Sequence, residues 1–149
     1  MDIRLHEYDL IVKTGGRYIM EKIYEFIKNC KVYFLATVDD DRARVRPFGT
    51  IDLFEDRLYI QTSKEKAVSK QIHENPNVEL CCFNGDEWLR LRGKLAEDKR
   101  IQAKEHLLDN YPNLKKKYSA YDGNTEVFYF TEGKSVISSF TAEPKIIKF

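Results

Sequence analysis

Three arginines at alternate positions are the first residues of this sequence that could do chemistry. Arg42, Arg44 and Arg46 lie two apart in a stretch of strand character, so a strand would place all three on one face, followed by Phe48. A guanidinium is a planar fork of donors that pairs with phosphates and carboxylates. The pattern predicts a surface for a planar, phosphorylated ligand, and the alternative is a solvated strand face.

A second cluster of cations and hydroxyls follows at the predicted start of a helix. The run Thr62-Ser63-Lys64-Glu65 has the capping-box pattern, and Lys66 follows it. A helix N-terminus offers unpaired N–H groups and a partial positive charge, which suit a phosphate, although many capped helices bind nothing. We expect a hairpin to bring the arginine strand beside the strand that leads into this helix. The two clusters then predict one anion site.

The composition restricts the class of protein. A chain of 149 residues predicts one domain, and 25 basic against 24 acidic residues argue against nucleic-acid binding. No apolar run is long enough for a membrane helix and no signal-peptide pattern is present, so we expect a soluble, cytoplasmic protein. Three cysteines, two of them adjacent, agree with a reducing compartment.

The first eighteen residues show no clear periodicity. We interpret residues 1–18 as an N-terminal arm and residues 19–149 as the single domain. The codons of Gly15-Gly16 can spell a ribosome-binding site, which gives the hypothesis that the native protein begins at Met20. The mass of the protein from its natural host tests this hypothesis.

The rest of the pattern predicts short strands in hairpin order with two or three helices. A helix is expected from Ile19 and another from Asp98 to about Asp109, in addition to the helix at the capping box. The order favours an antiparallel sheet that closes into a small barrel, an α+β fold that is mainly β. The predicted strands are Val32–Val38, the arginine strand, Ile51–Phe54, Leu58–Gln61, Val78–Phe83, EWLRLRGKL, Val127–Thr131, a turn at Glu132-Gly133, Lys134–Phe140 and KIIKF.

The sequence lacks the patterns of metal sites, reactive cysteines and the common nucleotide-binding and hydrolase motifs. His6, His73 and His106 are too scattered for a zinc or iron site, so no metal is expected. Cys81 and Cys82 lie in an apolar strand and are interpreted as packing residues. No P-loop, GxSxG or GxGxxG motif is present, and the sequence identifies no catalytic side chain.

Three runs of the sequence together resemble a known family. YFLATVDDDRARVRPFG, LYIQTSKEKAVSKQIHENPNVEL and EWLRLRG resemble the flavin-binding split-barrel proteins related to pyridoxamine 5'-phosphate oxidase, especially the small nitroimidazole-resistance (Nim) proteins. The resemblance covers residues 33–95 well and the C-terminal strands loosely. It implies a split β-barrel, a homodimer, and FMN held in grooves between the subunits.

The resemblance also implies site residues. Arg46, Pro47, Phe48 and Gly49 would lie along the flavin ring, and Trp88 would be a further flavin contact. The ribityl chain and phosphate would be held by Gln61, Thr62, Ser63 and Lys66. Ala67-Val68 replace the Arg-Lys pair of the authentic oxidase, so the choice among Lys64, Lys66 and Lys70 for the phosphate stays open.

The implied function is an FMN-dependent oxidoreductase, either a reductase or an oxidase, for an unidentified small molecule. NADH or NADPH is the candidate electron donor. The C-terminal run KSVISSFTAEPKIIKF lacks the arginine and histidine that the authentic oxidase uses for its pyridoxal-type substrate, so pyridoxamine phosphate oxidation is not expected. The alternatives are a flavin-binding or flavin-carrier module without turnover, and the same barrel with deazaflavin or haem. Haem is disfavoured because His73 is the only histidine in the matched region.

Overall fold

The computed structural model describes residues 16–149. Three α-helices, a 3-10 helix and eight strands make up this part of the chain, in an α+β fold that is mainly β. In chain order they are α1 (Gly16–Cys30), β1 (Tyr33–Asp39), β2 (Arg42–Phe48), β3 (Asp52–Phe54), β4 (Arg57–Ser63), α2 (Ala67–Glu74), β5 (Asn77–Phe83), β6 (Glu87–Asp98), α3 (Ile101–Asp109), the 3-10 helix (Pro112–Lys116), β7 (Thr125–Ser139) and β8 (Lys145–Lys148).

The predicted N-terminal arm falls mostly outside the described residues. Helix α1 begins at Gly16, so the helix starts earlier than the predicted Ile19 and includes the last residues of that arm. Ile19, Ile23 and Ile27 recur at helical spacing and are buried against the sheet, as their periodicity predicted. None of the helices in residues 16–149 is long and apolar enough to cross a membrane.

The sheet is antiparallel throughout and forms the split barrel. Its strand order is β2-β1-β5-β6-β7-β4-β3, and β8 pairs with β7. Residues alternate along β6 as predicted, because Leu89, Leu91 and Leu95 are buried while Arg90 and Arg92 are exposed. The buried faces of the strands enclose one main core together with α1 and α2.

The predicted turn at Glu132-Gly133 is wrong, because β7 runs without interruption from Thr125 to Ser139. Gly133 lies opposite Gly93 of β6, and the register between the two strands shifts at Lys94 and Leu95. The extra residue of this β-bulge is Thr131, and the chain continues through Glu132-Gly133 as a strand instead of reversing there. Gly133 and Phe149 also exchange two backbone hydrogen bonds of 2.9 Å, which carry the ladder to the end of the chain.

Both predicted helix caps are also wrong. Thr62 and Ser63 belong to β4, and α2 begins only at Ala67, with Lys66 as an N-cap that makes no side-chain capping bond. Asp98 ends β6, and α3 begins at Ile101. In each case the strand continues its pairing with β7 through the polar residues, so these residues cannot also start a helix.

Candidate functional site

The guanidinium of Arg46 is held by neutral acceptors from two different elements. Its Nη1 donates to the Leu35 carbonyl (3.2 Å) and to Thr37 Oγ1 (2.7 Å), both on β1. Its Nη2 donates to Gln71 Oε1 of α2 at 2.6 Å. The Thr37 hydroxyl in turn donates to the same Gln71 oxygen at 2.6 Å. We call the side chains of Arg46, Thr37 and Gln71 the Arg46 cluster. Their hydrogen bonds fix the guanidinium where β2 meets α2.

The positive charge of Arg46 has no counterion among residues 16–149. Arg44, two positions earlier, pairs with Asp39 at 3.0 Å, but no carboxylate pairs with the half-buried Arg46. Burial lowers the pKa of Arg46, and the neighbouring charge of Arg44 lowers it further. Because a partly desolvated charge is costly without a partner, this position favours an anionic or electron-rich ligand.

The three residues after Arg46 do not share one surface. Phe48 faces inward and packs against the buried ring of Tyr33, with centroids 5.8 Å apart. Pro47 lies on the other face of β2, opposite Phe34. Gly49 lines a cavity of about 210 Å³ beside Tyr33. Arg46 and Phe48 therefore face the same side, and Pro47 faces away from them.

Three of the predicted cofactor-binding residues are buried in β4. The Gln61 side chain donates to the Thr62 carbonyl at 3.0 Å, and the Gln61 N–H donates to Thr50 Oγ1 at 3.1 Å. The hydroxyls of Thr62 and Ser63 have no hydrogen-bond partner in the described part of the chain. Buried polar atoms without a partner are uncommon in folded proteins. Since neighbouring residues of a strand point to opposite faces, these two hydroxyls serve different sides of β4.

Helix α2, and not a hairpin, connects the two clusters found in the sequence. The arginine strand β2 and the strand β4 lie near opposite ends of the strand order and do not pair. The prediction that a hairpin brings these two strands side by side was therefore wrong. Lys66 lies exposed at the start of α2, and Gln71 of the Arg46 cluster lies farther along the same helix. At a rise of about 1.5 Å per residue, the two positions are roughly 8 Å apart along the helix axis.

Trp88 lies away from the Arg46 cluster. It lies opposite Ser138 on the outer face of the sheet, and its ring centroid is 5.0 Å from that of Phe140. Other exposed apolar side chains lie on the same face of the sheet. We define the outer apolar face as Trp88 together with Phe34, Val45, Phe83 and Phe140, which are 51%, 67%, 55% and 83% exposed.

Sequence reasoning missed two members of the Arg46 cluster. Thr37 is a buried polar residue within the apolar run of β1, and Gln71 is buried on α2 beside Ile72. A polar side chain at a position where the strand or helix period requires an apolar one was the available signal.

Comparison with models of protein families identifies the family of this chain. Residues 19–132 match the model of the family described as pyridoxamine 5'-phosphate oxidase. The chain belongs to the pyridoxamine 5'-phosphate oxidase family. No curated protein matches the sequence.

Solved structures of this fold include proteins with different ligands. A NimC/NimA family protein from Clostridium acetobutylicum is 39% identical, with a TM-score of 0.88, over 93% of this chain and 97% of that one. An FMN-binding protein related to pyridoxamine 5'-phosphate oxidase, from Nostoc punctiforme, is 15% identical over 91% of this chain and 95% of its own (TM-score 0.53). A heme-binding protein from Mycobacterium smegmatis is 12% identical over 80% of this chain and 56% of its own (TM-score 0.63). The last two likenesses concern the fold alone.

Proposed function

We propose that this protein binds FMN and acts as an FMN-dependent oxidoreductase on a small molecule. The observation that carries the proposal is the Arg46 guanidinium, which is half-buried, fixed by Thr37 and Gln71, and without a counterion in the described residues. Membership of the pyridoxamine 5'-phosphate oxidase family supports a flavin as the ligand. FMN exchanges hydride equivalents when bound, and the protein supplies binding, orientation and electrostatics.

Arg46 retains donors for a ligand. A guanidinium has five N–H groups, and the bonds to Leu35, Thr37 and Gln71 use three of them. The remaining N–H groups and the positive charge suit the electron-rich pyrimidine edge of a flavin. A fixed charge at that edge would raise the electron affinity of the ring. The role of Arg46 is thus to bind and tune the cofactor.

The start of α2 suits the phosphate of FMN. The first N–H groups of a helix are unpaired, and its partial positive charge favours an anion. We assign the charge-assisted contact to Lys66, because it is the N-cap and is exposed. Lys70 points its ammonium towards Glu74 at 3.9 Å and is already paired. The unpartnered hydroxyl of Thr62 or Ser63 supplies a further donor on the side that faces the ligand.

A second copy of the chain would complete the site. In one subunit Trp88 lies on the outer face of the sheet, whereas Arg46 is directed towards β1 and α2. A contact of Trp88 with the same FMN therefore requires Trp88 of the partner subunit. The outer apolar face offers the exposed apolar surface that a homodimer would bury. We propose a homodimer with FMN between the subunits.

The absorption spectrum of the untagged protein tests the cofactor. We expect an oxidised-flavin spectrum, directly or after reconstitution, and one FMN per chain when the released cofactor is identified by mass. A Soret band would assign haem, a deazaflavin spectrum would assign that cofactor, and failure to bind FMN at all would refute the proposal.

Anaerobic mixing with NADH or NADPH tests turnover. Loss of the oxidised-flavin absorbance, followed by its return with oxygen or a nitro compound, would support the oxidoreductase. Bound FMN that responds to neither donor and to no other reductant would instead favour a flavin-carrier module.

A further inference from the structure

Three side chains with metal-ligating atoms converge from separate elements of the described chain. His73 lies on α2, Glu97 on β6 and Glu126 on β7, and their ligand atoms all lie within 4.8 Å of one another. His73 Nε2 is 2.9 Å from Glu126 Oε2 and 3.6 Å from Glu97 Oε1. No metal was expected from the sequence, because the three histidines are scattered along the chain. The fold, however, places His73 beside two carboxylates, Glu97 and Glu126, that are distant from it in sequence.

The distances agree with tetrahedral coordination. Zn–N and Zn–O bonds of about 2.0–2.2 Å in a tetrahedral site separate neighbouring ligand atoms by roughly 3.3 Å. The two distances from His73 Nε2 fall on either side of this value. Rotation of the partly exposed His73 ring, which is 46% exposed, and of the Glu97 carboxylate can adjust them without moving the backbone.

The charge of the cluster calls for a cation. The Glu126 side chain is 2% exposed and that of Glu97 is 12% exposed. Among residues 16–149, His73 is the only ion-pair partner of either carboxylate. Two desolvated carboxylates beside a single imidazole carry excess negative charge, which is costly to bury. A divalent cation would remove this cost.

Neighbouring groups already orient two of the three ligands. The Ser69 hydroxyl donates to Glu126 Oε1, which leaves Oε2 of that carboxylate directed at His73. The His73 ring packs edge-on against Phe128, with centroids 5.3 Å apart. Groups behind the ligands that fix their orientation are typical of metal sites in proteins.

Lysines also line the groove of about 680 Å³ into which this cluster opens. No ammonium group of the described chain lies within ion-pair distance of Glu97 or Glu126, and Lys70 is directed to Glu74. Water in the open groove screens the repulsion between these lysines and a bound cation. The screened repulsion is weaker than the direct coordination of the cation by the three ligands. The lysines of the groove are Lys64, Lys70, Lys99 and Lys104.

We propose that His73, Glu97 and Glu126 bind a divalent first-row transition-metal ion, for which Zn²⁺ is the probe. Imidazole and carboxylate ligands suit such ions. Three protein ligands leave coordination positions open to the groove, as in zinc sites that also bind water or a small ligand. None of the three ligands is among the residues assigned to FMN, and the site does not depend on that cofactor.

Calorimetric titration with Zn²⁺ tests the site, using the full chain without an affinity tag after treatment with a chelator. We expect one Zn²⁺ per chain, and at least about a tenfold loss of affinity in His73→Ala and in Glu97→Gln. The conservative Glu97→Gln change keeps the size of the side chain, so the test does not rest on one variant that could fail to fold. With Co²⁺ as the probe, His73→Ala should also change the visible absorption bands of the bound ion.

Two matched variants control for unspecific binding. His106→Ala removes another histidine that pairs with a buried carboxylate, Asp52 at 2.7 Å, outside the cluster. Glu74→Gln removes an exposed carboxylate from the same groove. Both should bind Zn²⁺ as the unmodified protein does. Absence of stoichiometric binding, or equal affinity in all four variants, would overturn the proposal, and the FMN content of the same samples reports separately on the cofactor.

Discussion

Arg46 Nη2 lies 2.6 Å from Gln71 Oε1, and this hydrogen bond joins the edge strand β2 to helix α2. Lys66, the residue proposed to bind the phosphate, is the N-cap of the helix that carries Gln71. A ligand bound along α2 would therefore contact both a fixed guanidinium and a helix N-terminus. This arrangement suits a molecule with a planar ring at one end and a phosphate at the other.

Removal of the Arg46 guanidinium should weaken FMN binding. A charge-assisted hydrogen bond is worth about 1.5–3 kcal/mol, so Arg46→Ala should raise the FMN dissociation constant by roughly 10- to 100-fold. Quenching of flavin fluorescence during titration measures the constant. Arg44→Ala is the matched control, because Arg44 is on the same face of β2 but is paired with Asp39. Equal FMN affinity in the Arg46 variant and the unmodified protein would contradict the placement of the flavin ring.

Lys66 should act on the phosphate alone. Lys66→Ala is expected to raise the dissociation constant of FMN about tenfold and to leave that of riboflavin, which has no phosphate, unchanged. The measurement is a pair of fluorescence titrations with the two flavins. Lys70→Ala serves as the control, since Lys70 is already close to Glu74. A larger loss in Lys70→Ala or Lys64→Ala would assign the phosphate contact to that lysine instead.

Dimer formation through the outer apolar face should depend on Phe34. This side chain is 51% exposed near the start of β1, so Phe34→Glu would place a charge in the proposed interface without disturbing the core. We expect a monomer by light scattering after gel filtration, together with reduced FMN content. Tyr18→Glu adds the same charge at a 60% exposed aromatic residue outside this face and should remain a dimer. Unmodified protein that is monomeric while it holds FMN would contradict the shared site.

The sequence predicted the strands and the face of each strand better than the ends of the helices. In β5 and β6 the alternation of apolar and charged residues has one solution, because a shift by one residue would expose every buried leucine. The caps at Thr62 and Asp98 failed because hydroxyl and carboxylate residues also occur in strand pairs, and β7 is long enough to pair with both. Local patterns cannot show how far a distant strand extends.

The sequence identified the cations of the candidate site but not the side chains that they contact. The alternation of arginines marked β2, yet it could not show that Arg44 is paired while Arg46 is not. That difference depends on Asp39 and on Gln71, which lie on other elements. The convergence of Glu97 and Glu126 on His73 likewise exists only once β6 and β7 are paired beside α2.

Acid should remove a stabilising contribution of Asp98. Its carboxylate accepts hydrogen bonds from the Tyr59 hydroxyl (2.8 Å) and from the backbone and side chain of Arg100, and the pKa of Asp98 is lowered from 3.8 to about 2 chiefly by the Arg100 side chain. Because the folded-state pKa lies below that of the unfolded chain, the stabilisation is complete above about pH 4 and is lost as the pH falls towards 2.

The Asp98→Asn variant isolates this contribution. It should be less stable than the unmodified protein by on the order of 1 kcal/mol at pH 7, and the difference should shrink between pH 4 and pH 2. Urea unfolding followed by circular dichroism at several pH values measures it. Asp109→Asn changes an exposed carboxylate that pairs with Lys115 and should have little effect at any pH. A stability difference that does not vary with pH would show that the charge of Asp98 is not the cause.

The bulge between β6 and β7 should tolerate no side chain at Gly93. A Cβ added there would lie 2.2 Å from the Glu132 carbonyl oxygen and 3.0 Å from the Phe130 ring, and the carbonyl is backbone in the middle of the sheet. Gly93→Ala should therefore destabilise the fold by about 3 kcal/mol, the upper end for overpacked cores, as measured by urea unfolding. Gly49→Ala is the matched control, because its nearest neighbour would be the Lys31 carbonyl oxygen at 3.9 Å, an ordinary contact. Equal stability of the two variants would mean that β7 can shift to make room, and the close approach of Gly93 to Glu132 would then not be required by the fold.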